Sequence, residues 1–422
     1  MPSAPSFPVQ RNEIAGIGVK QIAERFGTPT YVYDAAKIAE RIKDLAAFDV
    51  TRFAQKANSN LAIVDWARQH GALVDTVSAG EIHRAFAAGY QAGGEPPEIV
   101  YTADIFDADA LTLVVEHEIH VNCGSSDMIE QYGTIAPGRN ITLRINPGFG
   151  HGHSQKTNTG GDQSKHGIWH EQIEYCLQRA DHHGLAVTGL HMHIGSGADM
   201  EHLAQVCGAM EAAATTAGRT IHMISAGGGL PVPYREDESY VDVSRYYQLW
   251  DGARKRLENA FGHGITLEIE PGRYLTAESG FLVTEIRAIK QMAGNTFYLV
   301  DAGFNNLARP ILYGAYHPMS IAAVFGETDR PLQDVIVGGP LCESGDIFTQ
   351  EEGGFVCTRS LPVASVGDFL IIECAGAYGS VMGSNYNSKL TAAEVLIRDG
   401  QTHLVRARQT YEDLMRGESI PS

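Results

Sequence analysis

Lys56 stands at the end of an apolar, strand-like run in FAQKANSN (53 to 60), where its amine points at whatever lies above a sheet. Similar placements recur downstream. His193, the run Gly227, Gly228 and Gly229, and Glu270 with Gly272 and Arg273 each follow a short β-branched segment. Later come Arg309 and Tyr313 in RPILY, Cys342 and Glu343 in CESGD, and Tyr378 in AGAYG. A guanidinium pairs bidentately with a carboxylate, and a glutamate can take an ammonium, so the later set suits a ligand bearing both groups. Taken singly, each residue has an ordinary reading: a solvated lysine, a satisfied core histidine, a tight turn, a structural Arg309–Glu343 ion pair, a core thiol. Their convergence on strand ends argues otherwise.

The elements that would position them form a regular series. From residue 35 to 275, short β-branched segments alternate with amphipathic ones, the pattern of successive βα units. Strands are predicted near 52–56, 73–77, 99–103, 120–123, 141–146, 187–193, 220–225 and 265–270, which is the barrel number. An open doubly wound sheet is the alternative, but no GxGxxG follows the first strand. In a βα barrel, reactive groups gather at the carboxyl ends of the strands, where Lys56, His193, the glycines and Glu270 fall. Glycines after the seventh strand let backbone N–H groups approach an anion, and barrels commonly hold phosphate there, so a phosphorylated cofactor is expected.

Beyond residue 276 the helical period stops. FLVTEIRAIK, FYLVDAG, DVIVGG and DFLIIEC read as antiparallel strands of a second, β-rich domain. The loop at 148–167 is longer and more polar than a simple βα connection and suits an active-site lid. The 422 residues suffice for both domains, and a formal net charge of −18 disfavours nucleic acid or an anionic membrane as partner. Six scattered cysteines without a CxxC pair fit a reducing compartment and no metal site. With no apolar leader or membrane-length stretch, the expected location is cytoplasmic.

FAQKAN, HMHIGSG (191 to 197), SAGGGL (225 to 230), EIEPGR (268 to 273), RPILYGAYHP (309 to 318), GPLCESGD (339 to 346) and AGAYG (375 to 379) occur in this order. Together they resemble the motifs of the fold type III pyridoxal phosphate decarboxylases, and most closely their diaminopimelate decarboxylase branch, over nearly the whole chain. The resemblance implies pyridoxal 5'-phosphate as cofactor, bound through its aldehyde carbon to Lys56. It implies that Glu270 faces the pyridine nitrogen, where a carboxylate keeps the ring protonated and able to draw electrons from the substrate α-carbon. By the same resemblance His193 stacks on the ring. Gly227, Gly228, Gly229, Gly272, Arg273, Tyr378 and Ser196 belong to the cofactor's surroundings, and Arg273, Arg309, Tyr313, Glu343 and Tyr378 to the substrate's. It further implies that residues 1–34 join 276–422 in one domain with the barrel of 35–275 inserted. A homodimer with shared sites follows, Cys342 crossing the interface to return a proton to the α-carbon.

The reaction implied is removal of the D-centre carboxylate of meso-2,6-diaminopimelate to give L-lysine and carbon dioxide. Rival readings are a decarboxylase of another diamino acid or of a carrier-tethered acyl group, and a non-catalytic relative that binds partners or the cofactor. Two departures from the family pattern stand out: Lys389 and Leu390 replace an arginine and a proline after NYNS, and EC precedes AGAYG.

Overall fold

The computed structural model describes residues 5–150, 160–193, 200–324 and 330–421. Two compact units divide the chain. The first comprises Ala39–Pro231 with Val241–Leu275, and the second Ser3–Ile38, Val232–Tyr240 and Thr276–Ser422. The segment 232–240, inside the expected barrel range, thus groups with the second unit.

In the first unit eight parallel strands close a ring: Val50–Ala54, Leu73–Thr76, Ile99–Ala103, His120–Cys123, Asn140–Asn146, Ala186–His191, Met223–Ser225 and Thr266–Ile269. Closure comes from Glu268 beside Val50 and Ile269 beside Thr51. The expected barrel is present. Helices start where polar caps dictate: Asn60, Ser78, Asp107, Ser125 and Asp242 each accept a backbone N–H of the helix that follows. Outward strand residues such as Val74, Val121, Leu143, Leu190, Ile224 and Leu267 are fully buried. The inward set is polar. Arg52 forks onto Glu268 at 2.7 and 2.9 Å, and His120 Nε2 meets Thr142 Oγ1 at 2.8 Å.

The second unit is a mixed sheet. Thr30–Asp34 lies between Gly280–Met292, antiparallel, and Ala393–Arg398, parallel. Asn295–Val300 also runs parallel to Leu332–Gly338. Here the expectation of purely antiparallel strands fails, because long crossovers, one carrying the short helix Arg309–Tyr313, separate these partners in sequence. Ile14, Val19, Ile22, Val32, Val283, Phe369, Ile371 and Ile397 form its core. At Gly280 and Gly376 two backbones touch: a Cβ on Gly280 would sit 2.1 Å from the Gly376 Cα.

Burial, with the nearby Arg52 charge second, pulls the His120 imidazole down to about 4. The unfolded chain then binds more protons than the folded one between pH ~6.5 and ~4, so stability falls as pH drops through that window. Melting curves of His120→Gln and the parent at pH 7 and pH 4.5 should show a smaller acid loss in the variant, by up to ~3 kcal/mol.

Candidate active site

Each candidate of the first unit sits just past a strand. Lys56 lies in the turn Gln55–Ala57 and is exposed. His193 comes two residues after Ala186–His191, and Glu270 one residue after Thr266–Ile269, both strands ending earlier than predicted. Gly227, Gly228 and Gly229 follow Met223–Ser225, while Arg273 opens the four-residue helix Arg273–Thr276.

Glu270 is buried, and its carboxylate is fully engaged by neighbouring strands. His191 Nε2 lies 2.7 Å from Oε2, and Ser225 Oγ donates to Oε1 at 3.1 Å while accepting the Gly227 N–H at 3.1 Å. Burial alone would raise this acid; His191, Arg52 and Ser225 outweigh it and hold Glu270 below the ordinary carboxylate range. Asp75, on the second barrel strand, goes the other way. Burial first and the Glu270 charge next push it well above the usual value, against the opposing pull of Lys56 and Thr102. Two carboxylates that sense one another in a buried setting cannot both ionise cheaply, so their shifts run in opposite directions, Glu270 down and Asp75 up.

His193 accepts the Gly228 N–H on Nδ1 at 3.0 Å. Burial, then the charges of Lys56 and Arg144, hold its imidazole well below the usual value, so the ring is a neutral flat surface. Gly227 takes φ +62°, where a Cβ would come within 2.4 Å of the Met192 carbonyl oxygen, and a Cβ on Gly228 would lie 2.6 Å from the Glu270 carbonyl oxygen. Only glycine lets this turn run so close to both. Gly272 is similarly pressed, its Cβ position 2.9 Å from the Ala54 carbonyl oxygen. Gly229 has φ +102°.

Arg144, buried in the last third of Asn140–Asn146, and Asp104, which takes His166 Nδ1 at 2.7 Å and the Gly167 N–H at 2.8 Å, complete this end of the barrel. Asn146 ties the described parts of the 148–167 loop, bonding the main chain of Gly148, Gly161 and His166. The middle of that loop, 151–159, and Ser196 lie outside the described residues. Asp75, His191, Ser225 and Arg144 escaped the sequence reading; their signal was a polar residue at an inward strand position, visible only once register is known.

In the second unit Arg309 is buried and bonds His317 rather than Glu343, which instead receives the Tyr386 hydroxyl at 3.4 Å. Tyr313 closes the short helix and is partly exposed. Cys342 and Glu343 are exposed, with the Cys342 N–H held by Asn387 Oδ1 at 2.6 Å. Tyr378 sits at φ +55°, an unusual conformation for a bulky residue, in the turn that Gly376 packs down.

The profile of the pyridoxal-dependent decarboxylase pyridoxal binding domain matches residues 35–277, more than half of the chain. Diaminopimelate decarboxylase of Escherichia coli K12 is 52% identical over 95% of this chain and 96% of its own length. That of Streptomyces coelicolor is 50% identical over 100% and 96%. A crystal structure of diaminopimelate decarboxylase superposes with a TM-score of 0.91 at 52% identity, covering 94% of both chains. One from Helicobacter pylori complexed with L-lysine gives 0.83 at 30% identity, covering 94% of this chain and 98% of that one.

The chain belongs to the pyridoxal-dependent decarboxylase family and is a pyridoxal phosphate-dependent carboxy-lyase. Its residues fit that cofactor. An exposed lysine, an ionised buried carboxylate, a neutral imidazole and glycines that leave no room for Cβ atoms all belong to one end of the barrel, and the buried Asp75 Oδ1 has no hydrogen-bond partner among the described residues. Gly228→Ala should preserve the fold yet weaken pyridoxal phosphate binding ~10- to 100-fold in equilibrium dialysis, because the added methyl displaces either the turn or the Glu270 backbone.

Proposed function

We propose that this chain decarboxylates meso-2,6-diaminopimelate at its D-centre to give L-lysine and carbon dioxide, the last step of lysine biosynthesis through diaminopimelate. One observation carries the reading: a carboxylate kept ionised in a buried position, Glu270, at the barrel end that bears Lys56. About half the sequence is shared with diaminopimelate decarboxylases over nearly the full length. Residues that could host the cofactor are Lys56 for its aldehyde carbon, His193 for its ring face, Glu270 for its ring nitrogen, and Gly227, Gly228, Gly229, Gly272, Arg273, Ser196 and Tyr378 for the remainder. When bound, pyridoxal phosphate supplies a sink for the electron pair left as the α-carboxylate departs.

The chain's own groups set the rest. Glu270 favours a proton on the ring nitrogen because an anion beside that nitrogen is stabilised by the cation it faces. Neutral His193 adds a flat contact without a competing charge. The Asp75 carboxyl is pushed up by burial and by the Glu270 charge, against the pull of the Lys56 charge. For the substrate's distal centre, Arg309, Arg273 and Tyr313 suit the carboxylate and Glu343 the ammonium. Cys342 is proposed to return the proton to the α-carbon, and Tyr378 to contact both cofactor and substrate.

Carbon dioxide release should be rapid from the meso isomer and at least ~100-fold slower from the LL isomer, which has no D-centre. Equal release from both would contradict the reading. In Lys56→Ala, turnover should fall by several orders of magnitude and the visible band of the protein-bound cofactor should vanish.

The partnership proposed is a homodimer whose two copies share sites, with GPLCESGD serving the other copy. Lys56→Ala and Cys342→Ala proteins should each be nearly inactive, whereas exchanged mixtures should recover up to about half the parental activity per heterodimer, one site of two being intact. Mixtures that exchange subunits and stay inactive would show that Cys342 acts within its own chain.

A further inference from the structure

The segment after AGAYG departs from the family pattern at Lys389 and Leu390, yet the turn at 385–389 is joined to the loop that carries Cys342 and Glu343. Asn387 makes the join. Its Oδ1 accepts the Cys342 backbone N–H at 2.6 Å, from 45 positions along the chain. Beside it, Tyr386 stacks on Phe304 with ring centres 5.3 Å apart and sends its hydroxyl to Glu343 Oε2 at a longer 3.4 Å.

The loop GPLCESGD is otherwise closed on itself. Asp346 accepts the N–H groups of Leu341 and Phe304, each at 2.8 Å, and the Glu343 N–H donates to the Leu341 carbonyl oxygen at 2.8 Å. Cys342 lies between these and has no such internal acceptor. Among the described residues its N–H bonds the Asn387 oxygen alone, so the direction of its backbone is set there.

Asn387 is held in its turn. It sits at φ +53° and ψ +28°, a left-handed conformation that asparagine tolerates better than most residues, and Ser388 follows at φ +53°. Asn385 Nδ2 closes this backbone by donating to the Lys389 carbonyl oxygen at 2.8 Å and to Gln409 Oε1 at 2.6 Å. Gln409 Oε1 also takes the Thr391 N–H at 3.1 Å, and the Ser384 N–H donates to the Asn305 carbonyl oxygen at 2.9 Å. The bond at 389 runs through the main chain, so a lysine in place of an arginine leaves it intact.

We infer that Asn387 is a positioning residue: it fixes the Cys342 backbone and thereby aims the Cys342 thiol at the place where a proton returns to the substrate α-carbon. The inference rests on the proton-returning role proposed for Cys342.

The experiment follows carbon dioxide release from meso-diaminopimelate by the holoenzyme and its Asn387→Gly, Asn387→Asp, Cys342→Ala and doubly substituted Asn387→Gly, Cys342→Ala forms. Glycine takes the left-handed backbone without strain and removes only the carboxamide. Asn387→Gly should lower kcat ~10- to 100-fold with a smaller change in KM, and the solvent deuterium isotope effect on kcat should grow as a misplaced donor makes proton return slow. Asn387→Asp, which keeps an oxygen at the same reach, should recover most of the rate. In the Cys342→Ala background, Asn387→Gly should change the residual rate by less than ~3-fold, because groups that act as a unit are not additive. Should Asn387→Gly fold poorly, Asn387→Ser makes the same comparison: Ser388 already holds this φ, and a serine hydroxyl stops one bond short of the carboxamide oxygen. An equal loss in both backgrounds, or an unchanged kcat in Asn387→Gly, would overturn the positioning role. A Cys342→Ala enzyme with the parental rate would instead overturn the role of Cys342 beneath it.

Discussion

A carboxylate that must stay charged away from water governs the first unit. Removing an ion such as Glu270 from water costs several kcal/mol even after relaxation, and a single hydrogen bond does not offset that. Three strands contribute: His191 and Ser225 bond its two oxygens, and Arg52 adds a positive charge although its own fork is committed to Glu268. Each contribution depends on barrel closure. Ser225 pairs with His191 on one side and with Glu268 on the other, so a register slip would separate the donors from the acid. Asp75 shows the other outcome available to a buried acid, since burial and the Glu270 charge push its carboxyl well above the ordinary range. Two carboxylates whose affinities for a proton are pushed in opposite directions thus share one end of the barrel.

The second unit meets a related demand with cations. Arg309 is buried but faces a neutral imidazole and a tyrosine ring, whereas Arg11 is matched by the Glu373 carboxylate. Arg11 belongs to the structural frame of the sheet. The close approach of Gly280 and Gly376 explains how the AGAYG turn packs flat enough to leave Tyr378 in a left-handed conformation, which its neighbours must over-determine because an isolated tyrosine disfavours it.

Much of this arrangement was legible in the sequence, for reasons that can be stated residue by residue. Eight β-branched segments with capped helices between them announce a barrel, and barrel physics places Lys56, His193 and Glu270 at one end without further information. Strand ends were overrun by one or two residues, since His193 and Glu270 are continuous in pattern with the strands that precede them. The supporting polar residues were not legible. Asp75, Arg144, His191 and Ser225 become distinguishable from surface residues only when strand register turns them inward. His317 lay inside a recognised motif, but its hydrogen bond reaches the Glu373 carbonyl 56 positions away. The parallel pairing of Thr30–Asp34 with Ala393–Arg398 likewise joins opposite ends of the chain, beyond the reach of any local pattern.

The opposed shifts of Glu270 and Asp75 predict that Glu270 is ionised and Asp75 protonated at neutral pH, and isotope-edited infrared spectroscopy of the carboxyl groups tests this directly. At neutral pH the parent protein should show the carbonyl stretch of one protonated buried carboxyl. That band should disappear in Asp75→Asn and persist in Glu270→Gln. A spectrum without a protonated carboxyl, or a band that is lost in Glu270→Gln and kept in Asp75→Asn, would contradict the account.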